Sequence, residues 1–331
     1  MFKVDDIVNL NPTYMEVEIP HGRTPVFLAF VPLIYLIPTF YVILNTLLVY
    51  FKNFYGTKNE TINPHVLFVI VLHQLSTFFY MVFDYAVFRI PATGVLTTWC
   101  AHQDPSHLLK CIFCGLIYFG YLSMAFPFLV AILRLVAVYE PHKQYKISRK
   151  IVKIVVPLIL VYPFSLLFHM IPALGVCRAY QPPFQFGAAY IHFVGAWMEI
   201  QNYYFVFFNG SIWFLLTLSA NGILYLKLRK VLHAGRSSRI HKAELSMTLT
   251  TLSMLFSYIT NASFMIVFGV SPTVARYLTL IRPFGNDMDL VIVPWIFFLV
   301  HPAFKHKPAF LKNFFISKVE PVQVIHHSLS G

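Results

Sequence analysis

The sequence predicts an all-α, polytopic membrane protein, a bundle of seven transmembrane helices, and three observations predict it. Of its 331 residues, 58% are hydrophobic and 11% charged, with a mean hydropathy of +0.67, which leaves too little polar surface for a soluble domain. The apolar residues fall into runs near 26–51, 66–90, 108–139, 151–174, 201–228, 245–269 and 276–301, each about the 20 residues that a helix needs to cross a bilayer. Lysine and arginine gather in the connections on one side of the bundle those runs imply. The runs are also roughly two to three times the length of barrel strands and apolar on every face, so a β-barrel pattern does not fit.

Residues 1–25 carry Asp5, Asp6, Glu16 and Glu18 and lack an apolar core followed by small residues, so an extracellular N-terminal segment is expected rather than a cleavable signal peptide. The first run, 26–51, and the fourth, 151–174, are the most uniformly apolar. The second holds His73 and Asp84, and the third carries Arg134 near its end. The seventh contains Arg282, Asp287 and Asp289 and is the least apolar of the set. Ordinary loops join the runs; the longest, about 172–200, contains Gly175, Pro182, Pro183 and Gly187. No internal repeat or linker divides residues 26–301, which are expected to form one transmembrane domain followed by a cytoplasmic tail, 302–331.

Orientation follows from the positive charges, because Lys and Arg resist translocation. Lys52 and Lys58 follow the first run; Lys143, Lys146, Arg149, Lys150 and Lys153 the third; Lys227, Arg229, Lys230, Arg236, Arg239 and Lys242 the fifth; Lys305, Lys307, Lys312 and Lys318 the seventh. The other side has only Lys3, Arg23, Arg89, Lys110, Arg178, Arg276 and Arg282. The N-terminus is therefore expected outside and the C-terminus in the cytoplasm. A formal charge of +12 points to nucleic acid in a soluble protein; here an anionic inner leaflet accounts for it, and no nucleic-acid partner is expected.

One stretch goes beyond topology. In LRLVAVYEP, Leu133–Pro141, Arg134 sits in the last turns of an apolar run, followed by Pro141 at the seventh position. This resembles the Asp-Arg-Tyr segment of rhodopsin-like G-protein-coupled receptors, with Leu133 and Leu135 in place of the acid and the tyrosine. Asn45 with Val49 is similar to that family's first-helix asparagine, and Val293-Pro294-Trp295-Ile296-Phe297, with Phe304 beyond, to a degraded Asn-Pro-x-x-Tyr segment. His73 stands where the family has an aspartate in its second helix. The stretches FVPLIYLIPT at 30–39, TTWCA at 97–101 and FPFLVAILR at 126–134 resemble the nematode serpentine chemoreceptors, in the Srg superfamily and most like class U.

That resemblance implies a sensory receptor in the plasma membrane, with sensory cilia a further expected site. Its partners would be a small external molecule, a heterotrimeric G protein and the lipid bilayer, with no cofactor. Ligand is expected in the outer halves of the helices, against Tyr118, Phe119, Tyr203, Tyr204, Phe207 and Asp287, although aromatics at such positions usually serve helix packing. Arg134 and Pro141 are expected to face the G protein. Asp287 has a second reading, as a structural partner of Arg282 or Arg89, since acids inside a membrane usually face a polar interior or a partner.

Cys100 and Cys177 both fall in outer loops, the oxidising side, and are expected to form a disulfide; Cys111 is the rival partner of Cys177, and Cys111 and Cys114 otherwise read as buried small side chains. His73, His169 and His192 lack metal-ligand spacing and no hydrolase motif is present, so neither a metal nor catalysis is expected. Asp287 lies seven positions before Pro294, where an opsin carries its retinal lysine, which argues against light reception. A secondary transporter is the alternative from another class, suggested by the intramembrane His73, Asp84 and Asp289, but it requires inverted repeats that the sequence does not show.

Overall fold

The computed structural model describes residues 7–10, 12–15, 24–55, 63–197, 202–232, 250–251 and 253–300. Arg23, Lys58, Arg236, Arg239, Lys242, Phe304 and the tail 302–331 lie outside the described residues. Seven long helices account for most of what is described: α1 (Leu33–Tyr55), α2 (Pro64–Asp84), α3 (His107–Tyr139), α4 (Gln144–Leu167), α5 (Asn202–Leu232), α6 (Leu255–Val270) and α7 (Pro272–Val300).

Helix boundaries follow local chemistry. A short helix, Thr24–Phe30, stops before Pro32, and α1 restarts one residue later, because proline disfavours helical backbone at the residue before it. Asn63 caps α2 by accepting the His65 amide at 3.0 Å, with Pro64 at the first helical position. Ser106 caps α3 by accepting the Leu109 amide at 3.3 Å. α6 and α7 are joined by Ser271 alone, whose amide bonds Val267 O at 2.8 Å.

α3 is the central helix, apolar all round and buried along most of its length, as expected of a helix surrounded by others. Leu122, Phe126, Leu129 and Leu133 pack with Val66, Leu67 and Ile70 of α2 and with Phe297 and Phe298 of α7. On the outside lie Ile34, Ile37, Leu48, Leu158, Val161, Phe164 and Ile281, a belt of exposed apolar side chains that suits lipid. Leu33–Phe51, Pro64–Ala92, His107–Tyr139, Gln144–Met170 and Asn202–Lys227 are each long and apolar enough to cross a membrane. The described part of α6 is 16 residues long, and α7 carries its charges inward, which accounts for its weak apolar signal.

Two features depart from the sequence expectation. The fourth helix ends at Leu167, not near 174, and the long connection is not an ordinary loop: β1 (Leu174–Ala179) pairs antiparallel with β2 (Ala189–Val194), Cys177 opposite Ile191. A disulfide joins Cys177 to Cys100, so Cys111 is not the partner; Cys111 is free and exposed on the helix surface rather than buried. Gly175 lets β1 lie across the start of α3, exchanging backbone hydrogen bonds of 3.0 Å with Ser106; a Cβ there would fall 2.1 Å from the Lys110 nitrogen. Gly175, Pro182, Pro183 and Gly187 read as loop punctuation and hid two strands of only six residues each.

Candidate functional site

At the hairpin end of the bundle α2 runs into a π turn, Tyr85–Arg89, before Ile90–Ala92 resumes the α-helix. In a regular α-helix residues five apart point about 140° away from each other, since each residue turns about 100°. The π turn, with the Ile90 amide bonded to Tyr85 O, returns Arg89 to the face of Asp84, and the guanidinium Nε donates to Asp84 Oδ2 at 2.6 Å. The same guanidinium reaches α7, where Nη1 donates to Asp287 Oδ2 at 2.9 Å and Nη2 to Asp287 Oδ1 at 2.6 Å. Tyr35 of α1 donates to Asp287 Oδ2 at 2.5 Å. Asp84, Arg89 and Asp287 are all buried, so one arginine with two carboxylates stitches α1, α2 and α7 together away from lipid.

Arg282 lies a turn and a half farther toward the hairpin. Its Nη2 is 3.8 Å from Asp84 Oδ1 and donates over a long 3.4 Å to Tyr80 Oη, while its guanidinium lies over the rings of Phe88 and Phe264. It borders a cleft formed with Asp84, Phe88, Arg89, Tyr180, Phe184, Thr279, Leu280 and Pro283. Deeper in the bundle a small cavity is lined by Thr77, Tyr80, Ser123, Asn286, Asp287 and Asp289; Asn286 donates to Tyr80 Oη at 3.1 Å, and His73 Nε2 lies 3.4 Å from Asp289 Oδ1. Below it the Trp295 indole donates to Thr39 Oγ1 at 3.0 Å.

The other half of the bundle is aromatic. Tyr121, Met124, Leu255 and Tyr258 form a buried cluster against Phe205, Trp213 and Phe214. Its hydroxyls bond locally: Tyr258 donates to Met124 O, Tyr162 to Tyr121 O at 2.8 Å, and Tyr121 to Asn202 Oδ1 at 3.4 Å.

The expected ligand residues are not brought together. Phe119 stacks on Phe79 and Phe83 of α2 and its neighbourhood, while Tyr118 turns to α4, donating to Leu160 O at 3.0 Å and packing on Phe164. Tyr203 packs on Tyr204, which is half exposed, and Phe207 on Phe208, at the start of α5. Asp287 alone lies in the polar network, with Arg89 as its partner in place of Arg282. Sequence reasoning overlooked Tyr35 as a member; a tyrosine in an apolar helix carries no signal of its own, whereas Asp84, Arg89 and Arg282 stood out as charges inside apolar runs.

At the opposite end Arg134 is buried and its Nη1 donates to Thr251 Oγ1 at 2.9 Å, tying α3 to the chain that leads into α6. Pro141 is exposed in the turn after α3, and Lys227 lies over the ring of Tyr139, 4.6 Å from its centroid. Within the hairpin, His192 is enclosed by Phe113, Tyr190 and Phe193; burial, and then the positive charge of Arg178, push its pKa down to about 3. Burial likewise raises the pKa of Tyr180.

Comparison with known proteins places these features in context. The model of the family described as serpentine type 7TM GPCR chemoreceptor Sru matches residues 8–307. Serpentine receptor class U-26 of Caenorhabditis elegans is 33% identical over 262 residues, which span 78% of this chain and 89% of that protein. Squid rhodopsin has a similar structure, with a TM-score of 0.50 at 12% identity, covering 92% of this chain and 84% of the rhodopsin chain; at that identity the likeness is one of fold.

Proposed function

We propose a function from one premise: this chain belongs to the Sru family of serpentine seven-transmembrane G-protein-coupled chemoreceptors. It is a multi-pass membrane protein of rhodopsin-like fold. Our reading is that it lies in the plasma membrane, in sensory cilia among other places, as one branch of the wider Srg superfamily. The hairpin end and the N-terminus face outward, and the Arg134 end and the C-terminus face the cytoplasm. The disulfide on the hairpin supports that orientation, since such bonds persist on the oxidising side. The family is a receptor family, and the transporter alternative is not favoured.

In this reading a small external molecule enters the cleft under the hairpin, with Asp287 behind its wall. Tyr118, Phe119, Tyr203, Tyr204 and Phe207 contribute as the aromatic packing on which the outer helix ends move. Ligand that binds one arrangement of α7 better shifts the population toward it. The shift has a path to α6. Gly285 of α7 packs so closely on Thr260 of α6 that a Cβ would come within 2.4 Å, and Ser271 alone joins the two helices. α6 then draws Thr251 off Arg134 and opens a cytoplasmic crevice for a G protein, with Arg134 and Pro141 at its edge.

The observation that carries the reading is the Arg134 contact: a buried arginine at the cytoplasmic end of the central helix donates to the Thr251 hydroxyl on the chain that leads into α6. Such a contact links the central helix to α6 and holds the crevice shut. Expressed in cells with a promiscuous G-protein reporter and screened against volatile and soluble odorants, the Arg134→Ala variant should reach the surface and lose ligand-evoked coupling. Thr251→Ala should raise ligand-independent signalling. Normal coupling from a well-expressed Arg134→Ala chain would overturn the proposal.

A further inference from the structure

The cleft under the hairpin holds two arginines and an acid, and they are not equivalent. Arg89 is engaged at every nitrogen: Nε donates to Asp84, Nη1 and Nη2 to Asp287, and Nη2 also reaches Pro283 O at 3.5 Å. Asp287 is engaged in turn, each oxygen taking an Arg89 nitrogen and Oδ2 also the Tyr35 hydroxyl. Asp84 gives Oδ2 to Arg89 and is 2% exposed. Arg282 differs. Its nearest carboxylate oxygen is 3.8 Å away, beyond hydrogen-bond distance, and among the described residues its only side-chain hydrogen bond is the 3.4 Å contact from Nη2 to Tyr80. Nε and Nη1 keep their donors, and the side chain is 14% exposed where Asp84 and Asp287 are closed.

The surroundings of Arg282 are those of a site for an organic molecule. Phe88 and Phe264 lie against the guanidinium and hold its plane, so an approaching group meets a fixed fork of N–H donors rather than a mobile charge. Across the cleft Tyr180 and Phe184 of the hairpin stack with centroids 4.0 Å apart, and Leu280 completes an apolar wall. An amine entering here would face the guanidinium groups of both Arg89 and Arg282, and the one acid oxygen that Arg89 does not bond, Asp84 Oδ1, lies 3.8 Å from Arg282. A carboxylate would complete the pairing that Asp84 leaves 3.8 Å short.

We propose that this cleft binds a small organic carboxylate, its charged head on Arg282 and its apolar body between Phe88, Leu280 and the Tyr180–Phe184 stack. The inference rests on the receptor reading for its biological meaning and names the class of ligand that reading leaves open. An unpartnered acid at Asp287 would favour a cationic or strongly hydrogen-bond-donating ligand, but Arg89 and Tyr35 engage this one. The receiving group is the arginine one and a half turns outward, and Asp287 serves to engage Arg89.

The test is direct binding to the full chain in lipid nanodiscs, read as a shift in thermal unfolding. The probes are phenylacetate, benzoate, hexanoate and butyrate, each beside its amide and the amine of matching skeleton. At least one carboxylate should stabilise the unmodified chain while its amide and amine do not, a comparison that needs no variant. Arg282→Gln should weaken that carboxylate about 10- to 100-fold, the range for hydrogen bonds to a charged group, and Arg282→Lys should recover part of it. Equal binding of acid and amide, binding undiminished in Arg282→Gln, or no shift with any carboxylate would overturn the assignment. Coupling is read separately in cells. A carboxylate that binds here but evokes no reporter response counts against the receptor reading and leaves this site standing; a response confined to amines or neutral compounds does the reverse.

Discussion

The two halves of the bundle solve the same problem with different chemistry. Where α1, α2 and α7 meet, the seam is ionic: Arg89 between Asp84 and Asp287, Tyr35 on the second acid, His73 beside Asp289. Where α3, α5 and α6 meet, it is aromatic, with Tyr121, Tyr258, Trp213 and Met124 packed together and each hydroxyl bonded to a nearby carbonyl or amide. Charges in a bilayer must be closed by partners in fixed geometry, because an open one costs several kcal/mol. Tyrosine and methionine ask for less, and a seam of them can slide by small steps. The ionic seam therefore holds α7 against α1 and α2, and the aromatic seam lies beside the helix that is proposed to move.

Breaking the ionic seam should produce the largest effect. Arg89→Ala leaves Asp84 and Asp287 buried without their shared cation, at a cost of about 3–5 kcal/mol. Surface expression in cells should fall to a small fraction and the protein should remain in the endoplasmic reticulum. The combination Arg89→Met, Asp84→Leu and Asp287→Leu should express better than Arg89→Ala alone, since an apolar replacement of the whole cluster leaves no orphan charge. If Arg89→Ala expresses normally, the seam is not what holds these helices.

Asp287→Asn is the milder form of the same experiment. It removes one of two anions, so Arg89 keeps Asp84 at 2.6 Å and the asparagine oxygen can still accept one bond. Expression should fall to a value between the unmodified chain and Arg89→Ala. Full expression together with weaker agonist potency would instead give Asp287 a direct role toward ligand.

An acid titration sharpens the comparison by separating the hairpin from both seams. His192 is held neutral in the folded hairpin, with a pKa of about 3 against an ordinary histidine value of 6.5, so the unfolded chain takes up its proton first as pH falls. Its contribution is present above about 6.5 and is lost as pH drops from there toward 3. His192→Gln should flatten the part of the Tm-against-pH curve that lies in this window, measured as a difference from the unmodified chain in nanodiscs. Identical curves would mean that the hairpin opens without exposing the ring.

Much of this arrangement was legible in the sequence, and the rest was hidden for physical reasons. Apolar runs of spanning length announced the helices, and Asp84, Arg89, Arg282 and Asp287 announced a polar interior because nothing else justifies charges there. The pairing of Asp287 with Arg89 rather than Arg282 depends on the π turn, which adds one residue to a helical turn and leaves no mark in composition. The hairpin was missed because its strands are six residues each and lie among Gly175, Pro182, Pro183 and Gly187, which read as loop. Tyr118 and Phe119, adjacent in sequence, face α4 and α2 respectively; an evenly apolar helix such as α3 has no polar face from which the direction of either ring follows.

The smallest expected effect belongs to the aromatic seam, and it is the one that decides whether the contrast between the halves is real. Tyr258 of α6 is buried and donates its hydroxyl to Met124 O of α3. Tyr258→Phe removes that oxygen and keeps the ring, and such bonds within membranes average about 0.6 kcal/mol. Expression should stay within a factor of about two to three of the unmodified chain, the change in an equilibrium that this energy produces. Basal reporter activity should rise, because α6 loses a link to the central helix while its packing against Phe214 remains. Loss of expression comparable to Arg89→Ala would show that the aromatic seam is as rigid a constraint as the ionic one. The proposed motion of α6 would then need a different hinge.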